Sequence, residues 1–151
     1  MKRPADVLLS IRRSFKLYGQ CLEGVRQAYG LTQMEMTIIS FLHNNPGKDT
    51  VGEIAEVRML PKGNVSQGVD SLMRKRLLAR ADDPDDRRKR HLLLRPEALP
   101  IVEQIEQANE NFAKKCYAGF SPEELALYEQ FTDRLMQNTI RELERRENDH
   151  A

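Results

Sequence analysis

The segment from residue 77 to residue 94 limits the fold of this chain more than any other. Two short apolar runs, Leu77-Leu78-Ala79-Arg80 and His91-Leu92-Leu93-Leu94, flank the turn-forming sequence Asp82-Asp83-Pro84-Asp85-Asp86. Proline and aspartate favour turns, and runs of this length suit the strands of a β-hairpin. The same leucines also fit a helix by their spacing, so the turn residues decide the interpretation. We therefore predict a hairpin inside an otherwise helical chain.

Helical patterns precede the hairpin. Apolar residues at steps of three and four run through residues 8–29, and Gly30 follows where a helix would be capped. Thr32 and Glu35 have the spacing of a capping box, in which each side chain binds the backbone amide of the other residue. Two helices are therefore predicted before the break at residues 43–47, which contains Asn-Asn-Pro-Gly.

Two shorter helices are predicted between that break and the hairpin. Thr50 and Glu53 repeat the capping-box spacing and open the first of them. Pro61 suits the first position of the second helix, because a missing amide proton costs nothing there, and the pattern continues to about Lys75. A short helix, a turn, a second helix and a hairpin are the parts of a winged helix-turn-helix.

Long amphipathic helices flank this central unit on both sides. Pro96 opens a helix after the hairpin and Ser121 caps the last one, and each helix has an apolar stripe that the central unit cannot cover. Pairing with a second copy of the chain would cover these stripes. We predict an N-terminal dimerisation helix at residues 1–30, a DNA-binding domain at 31–95 and C-terminal dimerisation helices at 96–151. The predicted fold class is mainly α (α+β).

Positive charge is concentrated in the central unit. Between Arg58 and Arg95, eleven lysine or arginine residues stand against five acidic residues, a local balance of +6. The remainder has thirteen basic and eighteen acidic residues, so the net charge of +1 conceals a basic island in an acidic chain. This asymmetry is typical of a surface that binds a polyanion, and a solvated charged loop is the alternative.

The second helix of the predicted motif has side chains suited to the major groove of DNA. Small residues near its start allow close approach, amide side chains offer a base a paired donor and acceptor, and a lysine suits phosphate or guanine. A basic hairpin tip suits a phosphate ridge or the narrow minor groove. Taken singly, each polar residue of the helix would also fit an ordinary solvated face. The candidate DNA-binding residues are Lys62, Gly63, Asn64, Ser66, Gln67, Arg74, Arg87, Arg88, Lys89 and Arg90.

The hairpin tip has the sequence Asp83-Pro84-Asp85-Asp86-Arg87-Arg88, and Leu92 and Leu94 follow it. It is preceded by Leu31-Thr32-Gln33-Met34-Glu35, by Ile54-Ala55-Glu56 and by the stretch from Val65 to Leu72. In this order the segments resemble the helices and the Asp-Pro-x-Asp-x-Arg wing signature of the MarR family of winged helix-turn-helix regulators. The resemblance extends from Leu31 to Ala98, and the flanking helices fit the family's dimerisation region.

The resemblance implies roles for single residues. Arg88 corresponds to the wing arginine that enters the minor groove, and Asp86 is expected to brace it or to pair with Arg74. Arg76 stands where the family usually has glycine, so the turn after the recognition helix either avoids a left-handed backbone or strains this residue. Arg95 follows the second strand and is a further candidate for a phosphate contact.

These features predict a sequence-specific transcriptional regulator that binds double-stranded DNA as a homodimer on a palindromic operator. Half-sites about one helical turn apart, roughly 10 base pairs, are expected of a two-fold dimer. We expect the regulator to repress transcription. Activation is the alternative, because the effect on transcription depends on where the operator lies relative to the promoter. The resemblance also implies a small aromatic effector bound between the dimer helices and the reading lobe, and the sequence identifies no residue of its pocket. No cofactor and no metal are expected.

Two other functions are alternatives, and no enzyme is expected. Cys21 and Cys116 raise the alternative of a redox-sensing regulator, because some relatives of the family use a cysteine thiolate as the switch, but both fit small packing residues. A winged-helix protein-interaction adaptor is the other alternative, and the basic wing argues against it. His43, His91 and His150 are dispersed, and no nucleophile–base spacing or glycine-rich phosphate loop indicates catalysis.

The sequence has no pattern of a secreted or membrane protein. Its two cysteines are far apart, which favours a reducing compartment. Arg12 and Arg13 interrupt the apolar residues near the start, so no signal peptide is expected. No later segment is apolar for long enough to cross a membrane. We therefore expect a cytoplasmic protein without a membrane partner.

Overall fold

A computed structural model describes residues 3–86 and 88–149, with side chains up to residue 146. These residues form six α-helices, a single turn of 3-10 helix and two strands. The elements are α1 (Pro4–Tyr29), α2 (Gln33–Asn44), α3 (Val51–Val57), α4 (Lys62–Arg74), β1 (Leu78–Asp82), β2 (Arg90–Leu94), the 3-10 turn (Pro96–Ala98), α5 (Leu99–Cys116) and α6 (Pro122–Asp149). None of these helices is long and apolar enough to cross a membrane.

The predicted hairpin is present as a two-stranded antiparallel sheet. Leu78 pairs with Leu94 and Asp82 pairs with Arg90 across it. The strands extend slightly closer to the tip than predicted, because Asp82 and Arg90 continue the ladder and form an ion pair at 3.2 Å. The helices and this wing confirm the predicted mainly α (α+β) winged helix-turn-helix class.

Both predicted capping boxes are formed. Thr32 Oγ1 accepts the Glu35 N–H at 3.2 Å, and Glu35 Oε2 accepts the Thr32 N–H at 2.7 Å. Thr50 and Glu53 make the same reciprocal pair at 3.3 Å and 3.0 Å. Gly30 ends α1 with a φ of 60°, a left-handed backbone that glycine adopts without steric cost. Local contacts therefore fix the end of α1 and the starts of α2 and α3.

Both ends of α4 differ slightly from the prediction. Pro61 is the N-cap, with a ψ of 125°, so the first residue with helical backbone angles is Lys62. At the other end α4 stops at Arg74, and Arg76 has a φ of 59°. A left-handed backbone at a non-glycine residue costs about 1–2 kcal/mol. Of the two expectations for this turn, the structure shows the strained arginine.

The chain divides into two compact units, and the boundary between Phe112 and Ala113 lies within α5. These units are defined by packing alone and do not test the predicted functional domains. The domains at residues 1–30, 31–95 and 96–151 therefore stay a prediction. In the first unit, one apolar core joins α1, α2, α3, α4, the wing and the first part of α5. Its largest buried apolar side chains are Phe41, Leu22, Met36, Ile38, Ile39, Ile54, Leu72, Ile101 and Ile105.

The second unit contains the end of α5 and all of α6. Tyr117 packs against Phe120 and Tyr128, with ring centroids 6.2 Å and 5.6 Å apart. The predicted cap at the start of α6 is formed, because Ser121 Oγ accepts the Glu124 N–H at 3.2 Å. Most of the large apolar side chains of α6 are exposed.

Within the first unit, α4 rests directly on α2. A Cβ atom at Gly68 would lie 2.7 Å from Ile38 Cδ1 and 2.9 Å from Met34 Cγ, so this approach requires glycine. Beyond the end of α4, Lys75 Nζ donates to the buried carboxylate of Glu35 at 2.8 Å. Burial would raise the pKa of Glu35, but hydrogen bonds led by the one from Lys75 outweigh it and lower the pKa. The position of α4 is therefore fixed at its middle and near its C-terminal end.

Candidate nucleic-acid interface

One side of α4 is buried in the core and the other side is free to meet a ligand. The buried side consists of Val65, Gly68, Val69 and Leu72. Among the predicted DNA-binding residues of this helix, Lys62, Gly63, Asn64, Gln67 and Arg74 are exposed and Ser66 is half-buried. Helical spacing places Gly63, Gln67 and Arg74 opposite the buried side. A polar helix face of this kind fits the major groove of a duplex.

The wing, the loop before α3, the start of α3 and the first residue of α4 line a cavity of about 560 Å³ that contains several cations. Lys62 of α4 lines it together with Arg80 of β1 and with Arg88, Lys89 and Arg90 of the wing. These residues come from three elements, so the fold concentrates the basic island that the sequence showed. Arg87 lies outside the described residues. A group of cations of this kind suits the phosphates of a nucleic acid.

The tip of the wing presents Arg88 to solvent. Its side chain is 93% exposed. Asp86 Oδ1 accepts the Arg88 backbone N–H at 2.9 Å and its Nε–H at 3.4 Å. Of the two partners expected for Asp86, Arg88 is therefore the one it contacts. An exposed ion pair of this length contributes little to stability, so the guanidinium remains available to DNA.

An ion pair that was not predicted from the sequence joins the wing to α4, the candidate recognition helix. Arg80 Nη2 donates to Asp70 Oδ1 at 2.8 Å, and Asp70 lies on the exposed side of α4. Alternation along β1 places Arg80 on the same face of the hairpin as the buried Leu78, which is the face toward the body of the domain, and this was a usable signal. The pair fixes the base of the wing beside the helix that carries the candidate base contacts.

A second group that was not predicted from the sequence lies at the start of β2, next to the tip of the wing. His91 Nδ1 is 2.6 Å from Asp49 Oδ1, and its Nε2 is 2.9 Å from Asp83 Oδ2. Hydrogen bonds to Asp49 and then to Asp83 raise the pKa of His91 above its ordinary 6.5. The bond to His91 and those from the backbone amides of Asp85 and Asp86 lower the pKa of Asp83 to about 2. The imidazole thus connects the wing to the loop before α3.

A second cavity, of about 580 Å³, lies in the first unit between α1, α2 and the turn that joins α3 to α4. Its lining is mainly apolar and includes Phe15, Tyr18 and Met36. Arg58 adds a guanidinium to the wall, and its Cζ lies 5.6 Å from the centroid of the Phe41 ring. An apolar cavity with one fixed positive charge suits a small anion that has an apolar body.

The two cysteines have the surroundings of packing residues. Cys21 packs against the core of the first unit and Cys116 is the last residue of α5. Both are half-buried free thiols. A redox role for either of them stays a prediction.

Known proteins share this architecture over most of the chain. Residues 29–89 match the model of the MarR family. YsmB of Bacillus subtilis, an uncharacterized HTH-type transcriptional regulator, is 23% identical over 129 residues, which are 85% of this chain and 88% of YsmB. A MarR protein from Peptoclostridium difficile superposes with a TM-score of 0.81 at 16% identity, over 93% of this chain and 92% of that one. BpsR of Bordetella bronchiseptica, whose DNA binding is regulated by 6-hydroxynicotinic acid, gives a TM-score of 0.70 at 20% identity, over 87% and 98%.

The match to the family model spans the functional elements described above. Residues 29–89 include α2, α3, α4, β1 and the tip of the wing. The likeness to the solved structures shows the shared fold, and the family match adds the kind of protein that uses it. Residues 29–89 of the chain thus match the MarR family of DNA-binding, winged helix-turn-helix transcriptional regulators, and most of the chain is similar to an HTH-type transcriptional regulator.

Proposed function

We propose that this regulator acts as a homodimeric repressor on a palindromic operator, with α4 in the major groove and the wing on the neighbouring backbone and minor groove. The observation that carries the proposal is the placement of the basic residues. Lys62, Arg88, Lys89 and Arg90 converge beside the polar face of α4, although the remainder of the chain is acidic. Duplex DNA is the ligand that needs a helix for the groove and cations for the phosphates on either side of it.

Within this proposal, Gln67 and Asn64 read base edges and the basic residues hold the phosphates. A glutamine or asparagine amide can bind adenine through two hydrogen bonds, which discriminates against the other bases. Arg88 enters the minor groove, where a narrow A·T-rich tract attracts an arginine. The walls of the major groove are contacted by Lys62, Gly63, Ser66 and the part of α4 near Arg74. The DNA backbone beside the wing is contacted by Arg87, Lys89 and Arg90. Asp86 orients Arg88.

Exposed apolar faces support the dimer. On α1 the exposed large apolar side chains are Val7, Leu8, Leu9, Ile11 and Phe15, and on α6 they are Leu127, Tyr128, Phe131, Leu135, Met136, Ile140 and Leu143. Large apolar side chains that are exposed in this number along a helix mark a surface for interaction with another protein. A second copy of the chain would cover both helices and set the distance between the two recognition helices.

Selection of bound sequences from a random duplex library, followed by footprinting, tests the proposal. A two-fold dimer is expected to enrich an inverted repeat with half-sites about one helical turn apart, roughly 10 base pairs. A single unrepeated half-site would contradict the dimeric mode of binding. A library from which no sequence is enriched would contradict the proposal and favour the protein-interaction adaptor. Repression is then tested by a reporter gene behind the selected operator.

Gln67→Ala is expected to weaken binding to the selected duplex about tenfold and to relax its sequence preference within each half-site. The loss of a bidentate base contact is worth about 1–3 kcal/mol, whereas binding to non-specific duplex should change little because the phosphate contacts remain. Repeating the selection with the variant checks both points. Gln20→Ala, which removes an exposed amide from α1, is the matched control. An unchanged preference in Gln67→Ala would remove this residue from base reading.

The cavity beside Arg58 supports an effector as well. We propose that it binds a small aromatic carboxylic acid, whose carboxylate pairs with Arg58 while the ring packs on the apolar walls. The turn between α3 and α4 forms part of this cavity, so an occupant contacts the helix-turn-helix directly. An acid that binds one spacing of the two recognition helices more tightly than the other would shift the dimer away from the operator. The regulation of BpsR by 6-hydroxynicotinic acid provides a first compound to test.

Arg58→Met is expected to abolish stabilisation by such acids. A ligand at about a hundred times its Kd adds roughly 2.7 kcal/mol to the free energy of unfolding, which raises the Tm by several degrees. Thermal unfolding with 6-hydroxynicotinic acid and with benzoic acid measures this shift. Arg26→Met removes another exposed arginine of the first unit, outside the cavity lining, and should leave the shift intact. Equal shifts in Arg58→Met and the unchanged protein would contradict the assignment.

A further inference from the structure

His91 is held between two carboxylates that belong to different parts of the chain. Asp49 lies in the loop before α3, and its Oδ1 is 2.6 Å from Nδ1 of the ring. Asp83 lies at the start of the wing turn, and its Oδ2 is 2.9 Å from Nε2. The backbone of the same strand adds a further bond to the loop, because the Leu92 N–H donates to the Asp49 carbonyl at 2.8 Å. The imidazole is therefore a bridge between the body of the domain and the wing.

The bridge continues to the residue proposed to enter the minor groove. Asp83 Oδ1 accepts the backbone N–H groups of Asp85 and Asp86, both at 2.8 Å. The side chain of Asp86 in turn accepts the backbone N–H of Arg88 at 2.9 Å. One oxygen of Asp83 thus organises the turn while the other is held by His91. Three successive hydrogen bonds therefore connect the backbone of Arg88 to the His91 ring, through Asp86 and Asp83.

Both contacts of the ring require a proton on the ring nitrogen. An ionised carboxylate accepts hydrogen bonds and donates none. A neutral imidazole has a single N–H, so one of its two nitrogens would place a lone pair against a carboxylate oxygen. The imidazolium donates from both nitrogens and also carries the charge that the two aspartates complement. The observed geometry is thus that of the protonated ring.

We propose that His91 is a positioning residue for the wing, and that it holds Arg88 in its DNA-binding position only while both ring nitrogens are protonated. Affinity for DNA then falls as the pH rises through the titration of His91. The inference rests on the proposed function, because it assumes that the wing contacts the duplex. It adds a proton-dependent control of that contact.

The charged groups around the ring favour its protonated form on balance. Asp49 and Asp83 contact the ring directly, and Glu53 of α3 lies behind Asp49, whose N–H it accepts at 2.9 Å. The cations that line the same cavity are Lys62 of α4, Arg80 of β1 and Arg88, Lys89 and Arg90 of the wing. These cations oppose protonation, but the hydrogen bonds from the ring to Asp49 and Asp83 outweigh them and raise the pKa of His91.

The direction of the pH effect follows from this raised pKa. Both hydrogen bonds of the bridge are present below pH 6.5, the ordinary pKa of histidine. They are lost as the pH rises through the higher pKa that His91 has in the folded protein. The pKa of Asp83 is about 2, so this carboxylate stays ionised throughout the range in which His91 titrates. The nearby phosphates of a bound duplex would favour the imidazolium further, so DNA binding should be accompanied by proton uptake.

Affinity for the selected duplex, measured by fluorescence anisotropy at constant ionic strength from about pH 6 to about pH 9, tests the proposal. The unchanged protein is expected to lose roughly tenfold in affinity across this range, which is a coupling of ordinary size between two linked sites. His91→Gln should bind at every pH about as weakly as the unchanged protein does at high pH. His43→Gln, which removes an exposed histidine from the end of α2, should keep the full pH profile. A His91→Gln variant with the profile of the unchanged protein would overturn the proposal.

Asp83→Asn provides a second variant that keeps the turn. Its side-chain carbonyl can still accept the N–H groups of Asp85 and Asp86, while its amide can donate to a neutral ring nitrogen. The pKa of His91 should therefore fall, and the decline in affinity should move to lower pH. A decline at the same pH as in the unchanged protein would contradict the bridge.

A titration of the free protein by NMR separates this inference from the proposed function. The ring of His91 is expected to titrate above pH 6.5, and the amide signals of Asp85, Asp86 and Arg88 should shift with the same midpoint. If no duplex binds at any pH, the proposed function fails and these signals still decide whether His91 holds the wing. Wing amides that do not follow the ring would refute the inference, even if DNA binds.

Discussion

Replacement of both Phe131 and Leu135 by aspartate is expected to convert the proposed dimer into monomers and to lower affinity for the proposed palindrome by about 10²- to 10⁴-fold. The two side chains are 58% and 55% exposed in the single chain and lie four residues apart on α6. In a dimer interface the two carboxylates would be removed from water without a partner, which strongly disfavours association. A monomer has one recognition helix, so the second half-site would no longer add to its binding.

If α6 forms the dimer interface, the molar mass of the double variant and its affinity for the palindrome must fall together. Analytical ultracentrifugation should show the mass of the double variant fall from twice 17.5 kDa to 17.5 kDa. Gln130→Asp combined with Gln137→Asp adds the same charge to the polar side of α6 and should leave the mass and the affinity unchanged. A Phe131→Asp, Leu135→Asp protein that remains dimeric would show that α6 is not part of the interface.

Gly68→Val is expected to lower the free energy of unfolding by about 3 kcal/mol, which corresponds to a fall of roughly 6–12 °C in Tm for a chain of this size. A Cβ atom at this position already lies within 2.9 Å of side-chain atoms of Ile38 and Met34, and valine adds two further methyl groups. Ile38 is fully buried, so it has no free space into which to move. The resulting shift of α4 should also weaken DNA binding.

Gly63→Ala is the matched control on the same helix. A Cβ atom at Gly63 meets none of the described atoms within 4 Å, so the better helix propensity of alanine should raise stability by up to about 1 kcal/mol. Thermal unfolding of the two variants at one protein concentration compares them directly. If Gly68→Val unfolds at the temperature of the unchanged protein, α4 does not rest on α2 as closely as described.

The features that the sequence predicted well depend on neighbours along the chain. Thr32 and Thr50 form their capping boxes with residues three positions away, and Gly30 ends α1 through its own backbone freedom. The hairpin was predictable because its turn residues lie between its two strands. The family resemblance then added the two expectations for Arg76, of which the structure shows the left-handed backbone.

The features that the sequence did not predict depend on tertiary packing. Lys75 reaches Glu35 across 40 positions, and His91 reaches Asp49 across 42. Asp70 and Arg80 are closer along the chain but belong to α4 and β1, whose relative position no local pattern determines. These contacts fix the recognition helix and the wing relative to the domain, so the sequence identified the candidate DNA-binding residues without the groups that position them.

The dependence of duplex affinity on salt concentration tests the central claim, that α4 and the wing bind the DNA backbone, most directly. If the dimer neutralises about six phosphates or more, the logarithm of the affinity should fall with the logarithm of the salt concentration with a slope of roughly −5 or steeper. Arg88→Ala should weaken binding and make the slope shallower by about one for each arginine removed from the duplex, because each arginine in the minor groove also displaces a counterion, whereas Arg26→Ala should change neither. A slope near zero for the unchanged protein, or an Arg88→Ala variant with the affinity and slope of the unchanged protein, would contradict the account.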